Sequence, residues 1–382
     1  MLTLATGANA AYPFGNIDII TYGDFYQFPP VWDDALYDAW KEGRKVSNSK
    51  GGAQKEAIMN VWKNLTHVVL LDEQMRVQDR RYLELLNRLR EGECTLADVE
   101  MLNKRVIGHH VDITSFSNNP IVVPGNELGM QINKTFATRH SQNKRVLVTR
   151  AKDTYNKGKP LPRDWAESIK DKPHSKTGQL PGELPLYVGM PIYISNNIAT
   201  ELGITNGTKG IVKAIHLQNG EAISEEDIGF HLVEFYDLDC VIVELDDVSL
   251  KPLRGLQPNQ VPIFPQEGQF QILLKSLNSK GERKKITVRR KQFPIVPRFS
   301  ITGHKSQGQT LQTAIVDLVP NPTFRGPVDV SAPYVPLSRV RALENLTILR
   351  EFPASVVLRP AENFARKAMM AQFKEMDLCK DM

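Results

Sequence analysis

The chain has 382 residues, a length that suits roughly two or three domains at ~100–200 residues each, and an ordinary globular composition of 41% hydrophobic, 24% charged and 8% aromatic residues. That excludes wholesale disorder, collagen-like repeats and a continuous coiled coil. The net charge of +5 hides two opposed blocks: residues 275–305 carry ten Lys/Arg against Glu282 alone, and residues 221–247 carry ten Asp/Glu with no Lys or Arg. On charge alone the basic block is equally a phosphate-binding surface or a hairpin neutralised by its acidic neighbour.

No run approaches the ~18 apolar residues of a membrane span, so no membrane partner is expected. The first residues, MLTLATGANAA, lack a basic start and a long apolar stretch and are read as no signal peptide. Cys94, Cys240 and Cys379 are far apart with no CxxC spacing, which argues for a reducing compartment, nucleus or cytoplasm. The His109-His110 pair has no Cys or carboxylate at ligand spacing, and no metal site is assigned.

In chain order, Ile17–Tyr22 reads as a short buried strand running into Gly23-Asp24-Phe25-Tyr26-Gln27-Phe28-Pro29-Pro30-Val31, where two prolines and a glycine stop regular structure. Residues 53–64 look helical, and Val68–Leu71 reads as a buried strand. Tyr82, Leu85, Leu86 and Leu89 repeat at i, i+3, i+4 and i+7, predicting a helix that ends near Gly92. Thr95-Leu96-Ala97-Asp98 resembles a capping box, opening a helix to about Arg105. Ile121–Val123 is a strand, followed by a helix near 125–141. This alternation favours a parallel sheet covered by helices.

The rhythm breaks near residue 154. Residues 155–185 are rich in Pro, Gly and Lys and read as a long loop. From Pro191 to Gln292 short strands alternate with turns such as Asn206-Gly207 and Asn219-Gly220, the pattern of a small β-barrel. The βα pattern then returns: Phe299–Thr302, Thr313–Val319 and Leu346–Leu349 as strands, and residues 360–374 as a terminal helix with Phe364, Ala368 and Phe373 on one side.

Four segments carry candidate chemistry. Gly23, Asp24 and Gln27 follow a strand, where a Gln orients a water or senses a terminal phosphate without adding charge. Taken alone the segment reads first as an ordinary Pro-rich turn. Arg76, in Asp72-Glu73-Gln74-Met75-Arg76, suits the stabilisation of phosphoryl charge, or a surface salt bridge with Glu73 or Asp79. Thr302-Gly303-His304-Lys305-Ser306-Gln307-Gly308-Gln309-Thr310 is the most specific segment, dense in donors suited to phosphate. Tyr334-Val335-Pro336-Leu337-Ser338-Arg339-Val340-Arg341 adds Arg339, with Arg341 as a solvated residue.

In order and spacing these segments resemble the PIF-type, RecD-like, superfamily-one DNA helicases, including those carried by Helitron transposons. Leu186–Pro191 and Ile204–Val212 resemble that family's entry into its inserted barrel. The resemblance covers nearly the whole chain. It implies an α/β fold of RecA-like P-loop NTPase-type parallel-sheet domains: residues 1–66 as a remnant of the first, 67–185 with 293–382 as the second, and 186–292 as an inserted SH3-like β-barrel.

The resemblance further implies 5'-to-3' translocation on single-stranded DNA driven by ATP with Mg²⁺, by a monomer. Gln27, Arg76 and Arg339 would be catalytic, with Gln27 sensing the γ-phosphate and the arginines acting as fingers. Gly23, Asp24, Gln27, Gly308 and Arg339 would face nucleotide. His304, Lys305, Ser306 and Gln307, with Lys284, Lys285, Arg289 and Arg290 of the basic block, would face DNA.

The departure from the family is large. No G-x-x-x-x-G-K-[ST] occurs, and residues 1–16, where the Walker B acids belong, contain no Asp or Glu. The chain is thus expected to be the C-terminal portion of such a helicase and inactive alone, with strand 17–22 lacking a parallel neighbour. The alternative is a helicase-derived nucleic-acid-binding or scaffold module without catalysis.

Overall fold

In the computed structural model the described residues are 18–30, 33–41, 50–63, 65–71, 73–108, 120–141, 144–223, 230–233, 238–246, 248–277, 283–321, 328–358 and 363–378. A 3₁₀ turn at Leu36–Trp40 precedes α1 (Lys50–Lys63). The periodicity around Tyr82 matures into α2 (Arg80–Glu91), whose Tyr82, Leu85, Leu86 and Leu89 are all buried. Asp79 caps it by accepting from the backbone N–H groups of Arg81 and Tyr82, and Gly92 ends it at φ +74°, a left-handed conformation that favours glycine. Next comes α3 (Leu96–Asn103), where Asp98 accepts from the Thr95 backbone N–H at 2.8 Å.

The buried strand β1 (Ile121–Val123) leads into α4 (Asn126–Arg139). Then follow β2 (Val146–Arg150), β3 (Lys152–Tyr155), β4 (Lys159–Pro160), α5 (Arg163–Lys170) and β5 (Glu183–Leu186). The short strands β6 (Pro191–Ile194), β7 (Lys209–Leu217), β8 (Ala222–Ile223), β9 (Phe230–Val233), β10 (Leu238–Leu245) and β11 (Gln260–Ile263) precede a long hairpin of β12 (Gln266–Leu277) and β13 (Arg283–Gln292). The chain closes with β14 (Ile295–Pro297), β15 (Ser300–Thr302), α6 (Gly303–Ser306), β16 (Ala314–Val316), α7 (Ser331–Leu337), β17 (Leu346–Ile348), α8 (Ser355–Leu358) and α9 (Phe364–Glu375).

Two compact units result. Residues 118–305 form one. It holds the parallel pair β1–β15, an antiparallel sheet in the order β11-β10-β7-β6-β14 with β8 on β7, a sheet β12-β13-β3-β4, and β5-β2-β9. Its main core gathers Leu147, Leu186, Ile192, Val212, Val241 and Phe293. Residues 1–117 with 306–382 form the other, which holds the parallel pair β16–β17 and a cluster of Ala35, Tyr37, Val68, Ala365, Met369 and Phe373.

Four sequence expectations change. Residues 18–22 form no strand: Ile20 is 93% and Tyr22 99% exposed, because no described strand hydrogen-bonds to them. Val68–Leu71 is not a buried strand. Only Val68 is buried, in an isolated bridge to Asp377, while Val69 and Leu71 face solvent. Residues 155–185 are not one loop, since Leu161 and Ile169 of the β4–α5 segment pack on Ile272 and Val288 of the distant hairpin. On α9 the buried face is Ala365, Met369 and Phe373, whereas Phe364 and Ala368 are exposed. A one-residue offset moves a position by ~100° around a helix.

Candidate functional site

The Gly23–Phe28 segment is a compact turn organised by Asp24. The Asp24 carboxylate accepts from the backbone N–H of Tyr26 at 3.0 Å and from Gln27 Nε2 at 3.3 Å, while the Asp24 carbonyl accepts from the Gln27 backbone N–H at 3.1 Å. Arg90 of α2 donates to Asp24 at 3.3 Å and to the Tyr334 hydroxyl at 3.2 Å. Burial and the neighbouring Glu91 push the Tyr26 phenol up to about 12, so it keeps its proton and donates to Glu91 at 3.3 Å. Gly23 is exposed.

Three motifs distant in sequence meet at Ser338. Arg76 donates from Nε to Thr310 Oγ1 at 3.0 Å and from Nη1 to the Ser338 carbonyl at 3.1 Å. Arg339 donates from Nη2 to Ser338 Oγ at 2.7 Å, from Nε to the Val335 carbonyl at 2.8 Å and from Nη1 to the Gln309 carbonyl at 3.4 Å. Arg339 is only 1% exposed, whereas Arg76 is partly open. Neither forms an ion pair with Glu73, Asp79 or any other described carboxylate, and Asp79 is occupied as the α2 cap. Burial and the nearby charge of Arg76 push Arg339 down to about 10, still a cation at neutral pH. Two close guanidiniums with no ion-paired carboxylate among the described residues make a locally positive site suited to phosphate oxygens. The backbone around them is well held: the Tyr82 hydroxyl donates to the Leu337 carbonyl at 2.6 Å, and the Gln78 N–H to the Arg341 carbonyl at 2.8 Å. Arg341 is exposed, and Gly308 adopts φ +80°.

Of the proposed DNA-facing residues, His304, Lys305 and Gln307 are exposed and Ser306 is buried. Desolvation lowers both the His304 imidazole and the Lys305 ammonium below their usual values. Lys305 lines a hollow with Asn126, Asn133, His174 and Thr302, between α4 and the β14–β15 stretch. The sequence reading missed His174 and Asn126, which lie in segments without motif spacing. His174 is pushed down to about 4 by burial and by the charge of Lys305.

In β13, Lys285 and Arg289 are exposed, and the Lys284 side chain lies outside the described residues. Arg290 is a correction: it is 0% exposed, paired with Asp153 at 2.8 and 2.7 Å, and set over the Phe270 ring at 5.2 Å. Side chains alternate faces along a strand, so neighbours in one basic run point oppositely. Among the described residues no cluster of His, Cys, Asp or Glu could hold a metal ion, and the phosphate-cradling loop is absent from the sequence. The residues present suit the phosphoryl end of a nucleotide.

No family model matches the chain. Among curated proteins it is 26% identical over 406 residues to the ATP-dependent DNA helicase Pif1 of Psychrobacter, covering 96% of this chain and 52% of that protein. It is 26% identical to the mouse ATP-dependent DNA helicase PIF1, covering 90% of this chain and 42% of that protein. The chain thus spans about half the length, or less, of these curated relatives. Among solved structures, Bacteroides Pif1 bound to single-stranded DNA matches with a TM-score of 0.60 at 18% identity, over 98% of this chain and 70% of that one. Pif1 helicase from Candida albicans matches with a TM-score of 0.56 at 20% identity, over 94% and 70%. These likenesses show a RecA-like α/β fold, and in sequence the chain is similar to ATP-dependent Pif1 DNA helicases.

Proposed function

We propose that this chain is the coupling portion of a PIF-type DNA helicase, linking nucleotide state to movement on single-stranded DNA. The observation that supports it best is the meeting of Arg76, Thr310, Ser338 and Arg339, from three separate motifs, around two guanidiniums that lack a carboxylate partner among the described residues. A bound ATP would supply the phosphoryl group whose charge these arginines offset. Such contacts are worth ~10³–10⁵ in rate in phosphoryl-transfer enzymes. Gln27 orients a group at that phosphate. Residues 1–66 belong to the first RecA-like domain in this reading, 67–185 with 293–382 to the second, and 186–292 to an inserted β-barrel.

Single-stranded DNA is the partner. A solved Bacteroides Pif1 relative holds both ADP-AlF3 and single-stranded DNA, which supports the pairing of ligands. In this chain Lys305, His304 and Gln307 offer donors at the surface, and Lys285 and Arg289 extend a basic face along β13. The attraction is to the phosphate backbone and falls with salt. Binding of a fluorescent oligothymidylate, followed by anisotropy over a salt series, tests the reading. Neutralising Lys285, Arg289 and Lys305 together should weaken binding and flatten the salt slope by about 0.7 per lost phosphate contact. Unchanged affinity would remove the assignment.

A further inference from the structure

Arg90 belongs to none of the four motifs, yet it is where the Gln27 turn is held. Its guanidinium donates to Asp24 Oδ1 at 3.3 Å and to the Tyr334 hydroxyl at 3.2 Å, and it lies 4.5 Å from the Tyr26 ring centroid and 5.4 Å from that of Tyr334. Arg366 of α9 lies 5.2 Å from the Tyr26 ring and 5.9 Å from that of Tyr37, with its charge met by Asp329 at 3.3 Å. Tyr334, Arg90, Tyr26, Arg366 and Tyr37 therefore alternate ring and cation, joining α7, α2, the Gln27 turn, α9 and the 3₁₀ turn.

The consequence lies in the Gln27 amide. An ionised carboxylate only accepts hydrogen bonds, so the end of Gln27 that meets Asp24 Oδ2 at 3.3 Å must be its NH2 group. Its oxygen then has no partner among the described residues. A freely rotating amide presents donor or acceptor equally. A fixed one presents the acceptor alone, which suits holding a water by its proton rather than donating to a phosphate oxygen.

We infer that Arg90 is a positioning residue, which acts through Asp24 to lock the Gln27 side-chain amide with its oxygen outward. This rests on the reading of Gln27 as a residue that faces nucleotide. It names a polarity for that residue and a partner that the motifs do not contain.

The test needs neither nucleotide nor DNA. The full chain is labelled with ¹⁵N at glutamine in a deuterated background, and the Gln27 side-chain signal is identified by its loss in Gln27→Leu. In the parent protein that signal should stand apart from exposed glutamines and its protons should exchange slowly. In Arg90→Met and in Asp24→Asn it should move to the exposed-glutamine position, while in Arg90→Lys the displacement should be partly kept. A structural effect alone would lower the melting temperature and move many glutamine signals together. Should Arg90→Met fail to fold, Asp24→Asn and Arg90→Lys still decide the matter. A Gln27 signal already at the exposed position in the parent protein, or one unmoved in Asp24→Asn, overturns the inference. Either result leaves the DNA-binding test of the proposed function untouched, and loss of DNA binding would not move this signal.

Discussion

Arg290 and Asp153 meet in a two-point ion pair, at 2.8 and 2.7 Å, with the guanidinium fully buried and a third donor reaching the Leu180 carbonyl at 3.4 Å. The pair joins β13 to β3, where Arg290 and Asp153 are register partners. A buried pair gives modest net stability, but removing one partner strands the other charge. Asp153→Ala should therefore cost about 3–5 kcal/mol in urea unfolding. Arg289→Ala, one residue away on the open face, should stay within about 0.5 kcal/mol. Equal losses in both would contradict the burial of Arg290.

The α2 cap gives a second stability test. Asp79 accepts from the backbone N–H groups of Arg81 and Tyr82 and also from that of Leu343 at 3.4 Å. Asp79→Ala should cost about 1–2 kcal/mol, at the upper end for a helix cap because it also releases the Leu343 segment. Asp79→Asn should recover most of the loss. Thermal unfolding of the three proteins checks both expectations.

His174 predicts a pH dependence. Burial, then the charge of Lys305, lowers its folded-state value from 6.5 to about 4. Between these values the unfolded chain binds the extra proton and the folded one does not. The contribution is thus fully present above about pH 6.5 and is lost as pH falls towards about 4, by up to roughly 3 kcal/mol. In His174→Gln this part of the slope should disappear. Urea unfolding of both proteins at neutral and mildly acid pH, with the difference between them unchanged, would show that His174 carries no such linkage.

Hydrolysis is the fourth expectation. The arginine site suits phosphate charge, but the sequence holds no G-x-x-x-x-G-K-[ST] loop to cradle the phosphates. The purified 382-residue chain should show no DNA-stimulated ATP turnover above background in a phosphate-release assay. Mg²⁺-dependent turnover that vanishes in Arg339→Ala would show that the phosphates are held by residues outside the known motifs.

Local elements were readable where one short-range pattern decides them. The apolar repeat of Tyr82, Leu85, Leu86 and Leu89 with Gly92 behind it specifies a helix and its end, and α2 matches it. The 121–123 strand and the helix after it are of the same kind. Two other segments were misread, because what decides them is not in the local pattern. Residues 18–22 have a strand's composition but no described neighbour to complete the ladder. The β4–α5 segment looks like a loop until the hairpin supplies its apolar partners.

The sequence by itself determined which motifs are present, their order, and hence the resemblance to PIF-type helicases. It also determined that the phosphate-cradling loop is missing. Tertiary structure decided what each charged residue can do. Arg289 and Arg290 are adjacent, yet one is exposed and the other buried, because strand alternation is local while Asp153 comes from more than a hundred residues away. Arg339 and Arg76 look alike in the chain, yet only Arg76 remains partly open. Arg90 carries no motif at all and acquires its role only by arriving at Asp24. A charge's ionic partner and its solvent are properties of the folded surroundings, and a residue's identity specifies neither.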